Sequence, residues 1–165
     1  MKKVILVALA VVMLAAAGVQ PALAQEKKTD LSLNLGVQTN IFPGTSFDWL
    51  DLTVDFRVGF ALGKSFEISP ELMALIDSDF SFEGVELSPG VILNYKAGNF
   101  FVGAGVILPI WLESGDSDVG NVMPKINVGY NFGKLKLTGY FLSITESGAG
   151  FLKYNYIGAT LGYRF

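Results

Sequence analysis

The chain has 165 residues and a formal net charge of −3; 51% of it is hydrophobic and 16% charged, and it contains neither cysteine nor histidine. Disulfides and thiolate metal sites are therefore excluded, and the commonest general base and metal ligand is missing. The acidic balance argues against a nucleic-acid partner.

In chain order, Met1-Lys2-Lys3 precedes an unbroken apolar run from Val4 to Ala17, and Pro21-Ala22-Leu23-Ala24 precedes Gln25. A basic start, a short apolar centre and an Ala-x-Ala exit predict a secretory signal peptide over 1–24, cleaved after Ala24, with one domain over 25–165. The run is short for a spanning helix. Cleavage removes two of the 12 basic residues and none of the 15 acidic ones, which takes the mature chain to −5. No later apolar run reaches the length of a membrane helix, so a mature membrane protein would have to be a barrel.

From Asp30 the chain alternates, with Leu31, Leu33, Leu35, Val37 and Ile41 on one side and Ser32, Asn34, Gly36, Gln38 and Asn40 on the other. Successive strand residues point to opposite faces, so this pattern predicts a first strand with one apolar face. A Pro-Gly loop over 42–48 leads to strand two, Leu50 to Leu62, which alternates most cleanly. Gly63-Lys64-Ser65 is a tight turn before strand three, Phe66 to about Ile76. An acidic loop from Asp77 to Gly84 precedes strand four, Val85 to Lys96, and Ala97-Gly98-Asn99 turns the chain. Strand five runs from Phe100 to about Leu112. The acidic stretch Glu113 to Asp118 is read as a loop, and strand six as 121–132. Gly133-Lys134 is a minimal turn into strand seven, Leu135 to Ile144. A loop over 145–153 leads to the closing strand, Tyr154 to Phe165.

Eight strands with longer and tight connections in alternation predict an all-β fold, an eight-stranded antiparallel up-and-down transmembrane β-barrel whose even count leaves no free edge. A soluble ligand-binding barrel would also alternate, with its apolar face turned inward. Phe60 and Phe66, Tyr95 and Phe100, Tyr130 and Phe132, and Tyr163 and Phe165 cluster at the level of the tight turns. Such an aromatic ring belongs at a lipid–water boundary and favours the membrane barrel, apolar face outward.

The inward parity then carries the candidate functional residues. Asp51, Asp55, Arg57, Glu67, Glu71, Glu86, Lys125, Lys136 and Arg164 are expected to form a lumen charge network that pairs and closes the barrel, because an unpaired buried charge is costly. The alternative is a polar path for small solutes. Met73, Leu75, Ile107, Trp111, Tyr140 and Leu142 break the polar rule toward the external end. They form either an apolar pocket for a small hydrophobic ligand or packed core. Carboxylate pairs on one strand face, Asp51 with Asp55 and Glu67 with Glu71, are candidates for acid–base work, but their expected partners are Arg57, Lys125 and Lys136. No catalytic residue, metal site or cofactor is assigned, and an enzyme is not expected.

Tyr163 and Phe165 place aromatics at the end of the chain and two residues before it. This resembles the closing strand of bacterial outer-membrane barrels, whose assembly machinery reads such a C-terminal signal. Over residues 25–165 the chain resembles the small OmpA/OmpX/OmpW-like group. That resemblance implies residence in the outer membrane, lipid and the barrel-assembly machinery as partners, and a monomer. It leaves open a structural or surface-interaction role and a minor channel or carrier role.

Overall fold

A computed structural model of the protein describes residues 29–41, 50–76, 84–113, 116–144 and 154–165. The predicted signal peptide and most of the longer predicted loops lie outside those residues. The described residues form ten strands: β1 (Thr29–Ile41), β2 (Asp51–Leu62), β3 (Phe66–Ile76), β4 (Gly84–Ala97), β5 (Phe100–Ile107), β6 (Ile110–Glu113), β7 (Asp116–Val119), β8 (Met123–Phe132), β9 (Leu135–Ile144) and β10 (Tyr154–Arg164). β5 with β6, and β7 with β8, are each one stave, so the sheet closes as an eight-stranded antiparallel barrel.

Closure is made by β1 against β10, where Leu35 faces Leu161 and Val37 faces Ala159. The alternation read from the sequence fixes the two faces. On β1, Ser32, Asn34 and Gln38 are buried, while Leu33 and Leu35 between them are exposed. A slip of one residue would exchange the two faces along the whole strand. The outward side is a continuous apolar belt that includes Leu93, Val102, Ile126, Leu137 and Leu161, each more than 40% exposed. The inward side holds nearly all the buried polar and charged side chains. A soluble protein buries its apolar face; this molecule does the reverse.

Each tight turn begins with a glycine of positive φ: Gly63 at 73°, Gly98 at 64° and Gly133 at 66°. In the two-residue connections after β4 and β8, that conformation at the first turn position matches the right-handed twist of the flanking strands. A side chain at Gly98 would meet nothing within 4 Å, so only the backbone resists substitution. Gly98→Ala is therefore expected to cost about 1–2 kcal/mol, read as a lowered urea midpoint with the barrel still formed.

Two boundaries differ from the sequence reading. Strand five is interrupted at residues 108–109, where Pro109 has no N–H to donate to the ladder. The Gly120 amide still donates to the Pro109 carbonyl at 2.9 Å, so the stave continues. Asp116 to Asp118, expected in a loop, instead lies in β7, paired with β6 so that Trp111 faces Asp118. β7 ends with Val119 opposite Ile110, and β8 begins with Met123 opposite Ile107. Three residues, 120–122, thus oppose two, 108–109, and this bulge exchanges inward and outward parity along the stave.

Candidate functional site

Among the described residues, the lumen is where the fold gathers buried charged and polar side chains. Its lower rim, at the end of the tight turns, brings together Asp30, Glu67, Lys96 and Arg164. Arg164 bonds Asp30 at 2.7 Å, Lys96 lies 3.9 Å from Asp30, and Lys96 pairs with Glu67. Glu67 also accepts a hydrogen bond from Ser69 at 2.8 Å. The rim is partly wet, with Lys96 and Arg164 side chains 27% and 30% exposed.

Above it lies a dry belt. Arg57 pairs with Asp55 on its own strand and reaches Glu71 at 3.0 Å on β3, which stands directly opposite it in the ladder. Glu71 is shared, because Lys125 comes across from β8 to bond it at 2.7 Å. All four side chains are at most 1% exposed. Sharing one carboxylate between cations from two walls ties β2 and β3 to β8 through the barrel centre.

The next layer is apolar: Met73, Leu75, Ile107, Met123, Tyr140 and Leu142, with Ile144 and Tyr156 packed against them. Lys125 joins the two layers, 3.9 Å from the Met73 sulfur and 4.8 Å above the Tyr140 ring. The Tyr140 hydroxyl donates to Gln38 Oε1 at 3.1 Å. Room for that large inward ring comes from Gly158 on the neighbouring strand, where a Cβ would collide with it.

Of the predicted network, Asp55, Arg57, Glu71 and Lys125 converge at the centre, and Glu67 and Arg164 lie at the rim. Glu86 lies higher, accepting hydrogen bonds from Ser88 at 2.7 Å and from the Trp111 indole. Asp51 stands opposite Gln38, near the upper end of β2. Lys136 is buried but has no carboxylate within ion-pair distance among the described residues; it lies 4.8 Å over the Phe101 ring. Asp30 and Lys96 complete the rim. Asp30 stands at the very start of the alternating pattern, where lead-in and strand look alike.

Of the predicted apolar set, Met73, Leu75, Ile107, Tyr140 and Leu142 come together, and Trp111 does not. Trp111 is 40% exposed. It lies on the β6–β7 hairpin over Pro109 and Gly120, above the packed layer. Met123 takes a place in the cluster instead; its inward parity was readable, but its height was not, because the bulge sets where the stave begins. Of the carboxylates considered for acid–base work, Asp55 and Glu71 are engaged by Arg57, and Glu67 by Lys96.

No protein-family model and no curated protein matches the sequence. Solved structures do resemble the fold. Neisserial surface protein A overlays with a TM-score of 0.62 at 9% identity, over 82% of this chain and 95% of that one. Ail, the attachment invasion locus protein of Yersinia pestis, solved with the heparin analogue sucrose octasulfate, gives 0.49 at 10% identity over 86% and 100%. The N-terminal β-barrel domain of Pseudomonas aeruginosa OprF gives 0.46 at 13% identity over 84% and 100%. The likeness to the neisserial protein is one of fold: this chain has the architecture of the small eight-stranded outer-membrane barrels.

Proposed function

We propose that the protein is a monomeric outer-membrane barrel with a structural or surface-interaction role, exported by a cleaved signal over residues 1–24 and closed along its lumen. The apolar outward belt supports the membrane assignment, since strands such as β1, β4 and β8, with 13, 14 and 10 residues, are long enough to cross a bilayer when tilted. Tyr163 and Phe165, both on the outward face at the closing seam, are the residues offered to the assembly machinery.

The observation that carries the closed lumen is the double layer at its centre: Arg57, Asp55, Glu71 and Lys125 paired at no more than 1% exposure, roofed by six packed apolar side chains. An ion would have to break a buried pair and then cross an apolar constriction. The same packing disfavours the carrier reading, because Met73, Ile107 and Leu142 are no more than 1% exposed and fill the space that a hydrophobic ligand would need. A surface role draws on the external end, where Trp111, Val119 and Val122 are 40%, 49% and 51% exposed.

The test is ion conductance of refolded protein in a planar bilayer. The expected record is silent from demonstrably folded barrel. Discrete steps that change with Glu71→Ala would overturn the closed lumen and put the belt on a path.

A further inference from the structure

The lower lumen holds one more cation than its carboxylates neutralise. Among the described residues, Asp30, Asp55, Glu67 and Glu71 are all engaged, by Arg57, Lys96, Lys125 and Arg164. Lys136 is left over, 4% exposed, with an aromatic face as its near partner. The charges that act on it come from Arg57, Glu67, Asp30 and Asp55, and each of those three carboxylates already has its own cation.

Unused donors accompany it. Arg57 spends its Nη2 on both carboxylates, while Nε and Nη1, on a side chain 1% exposed, have no hydrogen-bond partner. Two residues beyond Lys136 on the same inward face is Thr138, paired in the ladder with Thr160. Both threonine hydroxyls are buried and unpartnered. Gly162, opposite Lys136, carries no side chain, and the Asn34 carboxamide lies over it. A buried cation with no counter-charge is costly, and unpartnered buried donors add to the cost. A single anion removes both.

We propose that the lower lumen binds one small monovalent inorganic anion, of halide size, between Lys136 Nζ and the Nε/Nη1 edge of Arg57, with the Thr138 and Thr160 hydroxyls as further donors. One charge matches the surplus of one. The belt above closes the site toward the outside, and the partly wet rim below is its entrance.

Crystals of the wild-type barrel grown with sodium bromide in place of chloride, measured at the bromine absorption edge, test this. An anomalous peak in contact with Lys136 Nζ is expected; a lumen holding only waters overturns the site. In parallel, the urea midpoint of the barrel in vesicles is compared in bromide and in gluconate at equal ionic strength. Wild type is expected to be more resistant in bromide, and Lys136→Met to lose the difference. Equal midpoints for wild type overturn the proposal, and that comparison stands even where the variant fails to fold.

Discussion

Arg57→Ala is expected to destabilise the folded barrel by about 3–5 kcal/mol, the usual cost of removing one partner from a buried ion pair. Asp55 and Glu71 would then face one another in a dry interior, with Lys125, which bonds Glu71 at 2.7 Å, as the only cation among the described residues in bonding distance of either. Their desolvation cost remains, and the attraction that offset it is gone. The measurement is urea unfolding of the barrel in lipid vesicles. Arg164→Ala provides the contrast: its side chain is 30% exposed at the rim, where solvent screens the pair, and the expected loss is within about 1 kcal/mol. Equal midpoints for the two variants would mean that the belt contributes nothing beyond a surface pair. Should Arg57→Ala give no folded barrel, Arg57→Lys restores the charge as a compact ammonium in place of the planar guanidinium and is expected to fall between wild type and alanine.

Ile126→Arg is expected to cost about 2–4 kcal/mol in a bilayer, the range for a basic residue on the lipid face near the midplane. Ile126 is 53% exposed on the outward side of β8, two outward positions beyond the aromatic Tyr130, with Ala104 and Phe141 as its ladder neighbours. The same substitution on a water-facing surface would be almost neutral. Its effect on stability in vesicles therefore separates a lipid-embedded face from a solvated one. No loss in vesicles would contradict the outward belt.

The strands were legible because period-two alternation survives from Leu31 to Ile41 and from Leu50 to Leu62 with hardly a break, and positive-φ glycines mark the three tight turns. The sign of the two faces was legible from the aromatics at one level. What parity could not supply was height and azimuth around the barrel. Lys125 and Lys136 sit on adjacent strands with the same inward parity, yet one meets Glu71 across the lumen and the other meets a phenyl ring. That difference is set by stagger between staves, which no single strand encodes. The bulge at residues 120–122 was hidden for a related reason. Pro109 reads as an interruption of β5 alone, whereas the extra residue falls on the partner stave, while β5 and β6 keep one register against β4.

The proposed membrane barrel requires that the apolar face of every stave meet lipid and the polar face a closed lumen. Nitroxide labels placed singly along β10, from Ile157 to Arg164, test it directly by collision with oxygen, which partitions into the bilayer, and with a water-soluble nickel complex. Oxygen collisions are expected to be high at positions 157, 159, 161 and 163 and low at 158, 160 and 162, with the nickel complex excluded from both sets. Nickel access at the odd positions, or a reversed alternation, would contradict the membrane barrel.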